Sequence, residues 1–151
     1  MTIYLVDTDS SCCKEFNDQP IVIDGANVAF ENVLKDQKAK FSNLVLLKHF
    51  LEINDITNYI VFCDRSLHYK IDETKKYDDL IKHDPSFYET PGGTQADHFI
   101  LQHAFKSNGL IISNDNFRDF FTIYEKDWII SHRISFCIIN NEINFDKLIF
   151  K

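Results

Sequence analysis

Glycine and proline are scarce in this chain, 4 and 3 among 151 residues. That leaves little room for long linkers, and the length suits one domain over 1–151, with residues 1–19 read as an extra edge strand and its connection. There is no internal repeat and no low-complexity segment. No apolar run approaches the ~20 residues of a membrane span. The opening "MTIYLVDTDS" lacks the charged and apolar regions of a signal peptide. A cytoplasmic protein without a membrane partner is the expectation. The four cysteines, Cys12, Cys13, Cys63 and Cys137, lack paired metal spacing, and the last two sit inside apolar runs. Buried free thiols follow, rather than a zinc site or disulfides.

Positive charge is also in short supply. The formal net charge is -7, which argues against coating a nucleic acid by bulk electrostatics. It leaves room for a nuclease, because divalent cations in an acidic site can bridge protein and phosphate. What the chain does have is apolar mass. The hydrophobic share is 44%, with 14 Phe and 6 Tyr, enough for a folded core.

The apolar residues come in short runs. "TIYLV" (2–6), "IVID" (21–24), "YIVFCD" (59–64) and "LIIS" (110–113) read as strands, and Phe87 and Tyr88 as a further short one. "ISFCIIN" (134–140) and "EINF" (142–145) suggest a hairpin about Asn140-Asn141. Between them, 41–54 carries Leu44, Leu47 and Leu51 at helical spacing with Ser42 as cap, 72–84 is a polar surface helix, and 94–107 is a helix capped by Thr94. A further helix is expected to start near Asn116. Strands that alternate with helices and are continuously apolar point to a three-layer α/β fold with a mainly parallel central sheet. Sites in such sheets lie at the carboxyl ends of the strands.

Those ends are acidic. Three strands finish on or near a carboxylate: Asp24 in "IVIDGAN", Asp64 in "VFCDRS" and Asp115 in "IISNDNFRD", with Asp119 four residues further on. Asp97 opens the 94–107 helix on the face of Ile100, Leu101 and Ala104, where a carboxylate is costly unless paired or metal-bound. Singly, each has a structural explanation. Asp115 can cap a helix, Thr94 and Asp97 can form a capping box, Asp24 can hold the Gly25 turn, and Asp119 can offset a helix dipole. Together, four carboxylates at one sheet edge would repel unless neutralised, and Mg²⁺ or Mn²⁺ suits an oxygen-only site. A cation there can acidify water and offset charge on phosphate oxygens, the chemistry of phosphodiester hydrolysis. Asn27 suits a water or phosphate contact, or a turn. Arg118 suits a phosphate contact or an ion pair. Lys35, Lys38 and Lys40 lie in a charged loop that is solvated or lines a nucleic-acid path.

At these residues the sequence resembles a known family. "IVIDGANVA", "ADHFILQHA" and "LIISNDNFRDF" look like the signature blocks of regnase-type NYN ribonucleases, a branch of the PIN-like nuclease superfamily, in order and over roughly Pro20 to Asn140. The resemblance implies a PIN-like α/β fold and Mg²⁺-dependent endonuclease activity on single-stranded RNA. It places Asp24, Asn27, Asp97, Asp115 and Asp119 at the acidic centre. A homodimer or a protein regulator would fit such a domain. Two features depart from the family: many relatives have two adjacent aspartates where this chain has Ala96-Asp97, and no Cys-Cys-Cys-His finger follows the domain.

Two other readings compete. "IYLVDTDSS" matches the nucleophile block of haloacid-dehalogenase-type phosphatases, with Asp7 as nucleophile and Asp9 as acid and base. That reading leaves "IVIDGAN" and "GGTQADHF" without a role. The second is a PIN-like scaffold that binds RNA or a partner without cutting.

Overall fold

The computed structural model describes residues 3–6, 13–15, 19–146 and 148–150, with side chains described over 19–146. The strands among them are β1 (Ile3–Val6), β2 (Cys13–Glu15), β3 (Ile21–Asp24), β4 (Tyr59–Cys63), β5 (Phe87–Glu89), β6 (Leu110–Ile112), β7 (Arg133–Ile134), β8 (Phe136–Ile139), β9 (Glu142–Phe145) and β10 (Leu148–Phe150). The helices are α1 (Gly25–Ala29), α2 (Phe41–Ile53), α3 (Leu67–Lys70), α4 (Thr74–His83), α5 (Ala96–Ser107) and α6 (Lys126–His132). None of them is long and apolar enough to cross a membrane.

β3 to β7 form one five-stranded sheet in the order β5-β4-β3-β6-β7, and every neighbouring pair is parallel. The strands are short and wholly apolar because both faces are covered. Side chains alternate across a strand, so Ile21 and Ile23, Val61 and Cys63, and Leu110 and Ile112 point one way. They meet Leu44, Leu47 and Leu51 of α2, Tyr77 of α4, and Ile138 and Ile143 of the β8-β9 hairpin. Val22, Phe62 and Ile111 point the other way, onto Ile100, Leu101 and Ala104 of α5 and Ile129 of α6. Helix, sheet and helix make three layers. The chain lays down β3, β4 and β5 outward in one direction, then α5 carries it back so that β6 pairs with the far side of β3. The crevice between the carboxyl ends of β3 and β6 is therefore the point where the strand order reverses.

Gly25 is required where α1 leaves β3. A Cβ there would stand 2.6 Å from the Cys63 sulfur and 3.0 Å from the Phe62 carbonyl, so only glycine lets the first turn of α1 lie against β4. Cys63 is a buried free thiol and Cys137 a half-buried one. The expected hairpin forms with Asn140 and Asn141 in its turn at φ 52° and 59°, the left-handed values that asparagine tolerates.

Several local expectations give way. The strand at the N-terminus exists, but β1 is the central strand of a separate antiparallel sheet, β10-β1-β2, and not an edge of the main one. Asp7 and Asp9 lie outside the described residues. Ser42 caps nothing: α2 starts after Lys40, and the Asp72 carboxylate accepts from the Phe41 N–H at 2.7 Å. Thr94 is likewise no cap. Its hydroxyl donates to the Pro91 carbonyl, and α5 begins after Gln95.

Candidate active site

Asp24 ends β3 and caps α1. Its Oδ1 accepts from the Asn27 N–H at 3.2 Å, and its Oδ2 from the Ser113 hydroxyl at 3.1 Å. Ser113 follows β6, so this second bond spans the crevice at the switch point. The same hydroxyl accepts from the Asp115 N–H at 3.1 Å, linking the two strand-end aspartates through one side chain. Asp24 is 6% exposed. Burial pushes its carboxyl up to about 7, with the charges of Asp97 and Asp115 adding to the rise and the bonds from Asn27 and Ser113 opposing it. A buried carboxyl raised by burial and by two like charges marks a site short of positive charge.

Asp97 lies in the first turn of α5, half-buried. Burial pushes its carboxyl up, Asp115 pushes it further, His98 opposes, and Asp64 and Asp119 add to the rise. Asp97 thus feels three other aspartates, which places it centrally in the cluster. Two adjoining hollows confirm this. One is lined by Asp24, Asn27, Phe30, Asp64 and Asp97, and the other by Asp97, Asp115, Asn116, Arg118 and Asp119. Asp97 is common to both.

The segment after β6 does not become a helix at Asn116. Asp115 Oδ1 takes the Phe117 N–H at 2.8 Å, forming a turn that competes with helical bonding. Phe117 then adopts a left-handed φ of 53°. That conformation costs a phenylalanine roughly 1–3 kcal/mol. Its ring is 2% exposed within the α5-side core, which offsets the strain. Asp119 follows in a single 3-10 turn, Arg118–Phe120, and is exposed, as Asp115 is. Arg118 lines the hollow beside them. The ion pairs among the described residues are Lys48–Asp84, His68–Asp78 and Lys76–Glu73, so Arg118 joins none.

Asn27 has a structural duty. Its Oδ1 accepts from the Asn114 N–H at 2.8 Å, tying the first turn of α1 to the loop after β6. Asn114 continues the tie outward. Its Nδ2 donates to the Phe136 carbonyl at 2.9 Å and to Glu31 at 3.1 Å, and its Oδ1 accepts from the Phe136 N–H at 2.9 Å. The sequence reading passed over Asn114 and Ser113. The only sign was that two polar residues directly follow a buried strand, where their side chains must bond something.

Asp64 was also left out of the candidate set. Burial pushes its carboxyl up, but the Ser66 hydroxyl and N–H and the Ala96 N–H outweigh that and hold it below the usual range. It therefore caps α5 from another strand and lines the same hollow as Asp24 and Asp97. Ala96, which precedes Asp97, is 6% exposed in the α5-side core.

The four aspartates thus lie near one another, coupled through their fields and, for Asp24 and Asp115, through Ser113. Among the described residues no group of three or more His, Cys, Asp or Glu side chains forms a ready-made metal cage. The donor set nevertheless fits a hard divalent cation: oxygen only, partly open to solvent, with a buried carboxyl that ionises near neutrality.

With this geometry in place, the comparisons are informative. The sequence pattern of the Zc3h12a-like ribonuclease NYN domain matches residues 17–147, an interval holding all four aspartates. The chain belongs to this family. The NYN domain described here has the PIN-like α/β fold, and it is similar to the crystal structure of nuclear proteinaceous RNase P 2 (PRORP2) from A. thaliana. That match has a TM-score of 0.68 and 19% identity, and it covers 85% of this chain and 29% of that one. A second structure of Arabidopsis thaliana nuclear protein-only RNase P 2 (PRORP2) gives 0.67 and 18%, covering 85% and 30%. The NYN domain spans about three tenths of the length of those proteins, and at this identity the likeness is one of fold. A comparison with curated proteins finds no match.

Proposed function

We propose that this chain is a divalent-metal-dependent endoribonuclease that hydrolyses single-stranded RNA, with Asp24, Asp97, Asp115 and Asp119 as its acidic centre. The observation that carries this is geometric: Ser113 bonds both the Asp24 carboxylate and the Asp115 N–H, and Asp97 lines the hollow of each. A carboxyl buried at the switch point and pushed up to about 7 beside Asp97 and Asp115 is suited to ionise when a cation arrives. Membership in a ribonuclease family supplies the substrate class.

When bound by these aspartates, Mg²⁺ or Mn²⁺ would supply the positive charge that activates water and offsets charge on the phosphate oxygens. The chain's own groups do the rest. Ser113 and the Asn27 N–H fix the orientation of the Asp24 carboxylate. Asn27 and Asn114 hold the β3 and β6 strand ends at constant separation. Arg118, unpaired among the described residues, is placed to contact a phosphate at the edge of the second hollow. Asp97, which lines both hollows, would help hold the cation from the α5 side.

The test is cleavage of a labelled single-stranded RNA by the wild type and by Asp24→Asn, with Mg²⁺, with Mn²⁺ and with chelator. The DNA analogue and p-nitrophenyl phosphate run alongside. Cutting that requires metal and disappears in the variant supports the reading. Folded protein that binds RNA and cuts nothing would instead favour the scaffold. Hydrolysis of the small phosphate, lost on Asp7→Asn, would favour the phosphatase; Asp7 and Asp9 precede the matched interval.

A further inference from the structure

The hollow that Asp24 and Asp97 share contains one aromatic group that the chemistry above does not use, the ring of Phe30. It is 38% exposed and lines the hollow beside Asn27, Gln95 and Asp97. Other partly exposed aromatic residues lean on another ring: Phe99 on Phe62, Phe105 on Tyr124 and Trp128, His98 on Phe120. Among the described residues Phe30 makes no such contact.

Its backbone, in contrast, is held on both sides. Phe30 is the residue that closes α1, and its N–H donates to the Ala26 carbonyl at 3.0 Å. Asn43 of α2, 4% exposed, donates through one amide nitrogen to the carbonyls of Val28, Ala29 and Glu31 at 3.1, 3.2 and 2.9 Å. A buried amide thus pins the chain immediately before and after Phe30. Asp24 stands at the other end of α1, six residues away, or roughly 9 Å along the helix axis. An exposed ring with no ring partner, on backbone fixed at set distance from the acidic centre, is a prepared surface.

Charge decides what it is prepared for. No cationic residue lines this hollow, while Asp24, Asp64 and Asp97 do. With no cation bound, nothing that lines this hollow can hold a phosphate, and the flat face of a base on a ring is a contact that brings no added negative charge. Arg118 lines the second hollow, on the far side of Asp97. We propose that Phe30 is a substrate-positioning residue. It stacks the base next to the scissile phosphate, and the strand runs from Phe30 across Asp97 towards Arg118. This assignment rests on the nuclease reading above and adds the course of the strand across the site. Stacking of this kind would favour single strands, because a base in a duplex already has both faces covered.

The experiment is a cycle between protein and substrate. Short single-stranded RNAs carrying one abasic site, scanned position by position, are cut by the wild type, Phe30→Ala and Phe30→Trp, with kcat and KM measured separately. The expected result is a rise in KM on the order of 10-fold for Phe30→Ala, with kcat within about 2-fold and recovery in Phe30→Trp. At one position beside the cleavage site, the abasic RNA should penalise the wild type by a similar factor and Phe30→Ala not at all. Equal KM for wild type and Phe30→Ala, or penalties that simply multiply at every position, overturns the assignment while the nuclease stands. A wild type that neither cuts nor binds these RNAs overturns the nuclease reading and this assignment with it.

Discussion

β3 and β4 are neighbours in register, and both run through apolar residues to an aspartate, yet the two carboxyls behave in opposite ways. Asp24 is pushed up to about 7, whereas Asp64 is held below the usual range. Burial acts on both. The difference is the company each keeps. Asp64 receives the Ser66 hydroxyl and N–H and the Ala96 N–H at the start of α5, donors that favour the charged form. Asp24 receives two bonds as well, but it is more deeply buried and faces Asp97 and Asp115. The lesson is that an aspartate at a strand end is only a position. Whether its carboxyl is held charged or pushed towards the neutral form depends on what the rest of the chain brings to it.

The largest expected effect tests that division directly. Asp24→Asn should lower metal-dependent RNA cleavage on the order of 100-fold or more, measured as single-turnover rate. A comparable loss in a folded Asp64→Ala would erase the distinction between the two ends.

The next effect is on stability and has a definite sign. Asp24 has a folded value of about 7 against an ordinary 3.8, so in that interval the folded state binds more protons than the unfolded one. Its contribution is fully present below about 4 and is lost as pH rises through about 7, and the raised Asp97 acts in the same direction. Without metal, thermal stability should fall over this window, by on the order of 4 kcal/mol from Asp24. Asp24→Asn should flatten the profile, and at pH 8 the variant should melt above the wild type. Added Mg²⁺ or Mn²⁺ should restore the wild type there. A wild-type melting temperature that rises from pH 4 to 8 in chelator would contradict the account.

A smaller effect comes from the cap. Asp64→Ala removes the acceptor for the start of α5 and should cost about 1 kcal/mol in denaturant unfolding. Cleavage should stay within a few-fold, because the variant keeps all four aspartates of the acidic centre. The smallest sharpens the Asp24 side. Ser113→Ala removes a donor that favours the charged Asp24, so the midpoint of the metal-free stability loss should move to higher pH.

The strands and the acidic cluster were legible in the sequence for one reason. A sheet covered on both faces needs unbroken apolar runs, and where such a run stops on a carboxylate the charge has nowhere ordinary to go. The helix starts were less legible. Ser42 and Thr94 look like caps in a local window, yet the N–H groups at those starts are taken by Asp72 and Asp64. Asp72 lies 31 residues from Phe41, a distance no local pattern covers. The helix expected at Asn116 failed because Asp115 took the Phe117 N–H first. Asn27, read as a water or phosphate contact or as a turn, spends its oxygen on Asn114. In each case the missing information was the partner, which only the fold supplies.

That dependence reaches into how the protein is made. The loop carrying Asp115 is held by Asn114, whose side chain binds both the N–H and the carbonyl of Phe136, while the Ser113 N–H bonds Ile134. A chain still emerging from the ribosome exposes Asp24 and Asp97 long before those later residues exist. The acidic loop can take its final shape only once β7 and β8 have been synthesised and docked. A nascent or truncated chain ending before residue 134 therefore carries all four aspartates and no assembled centre.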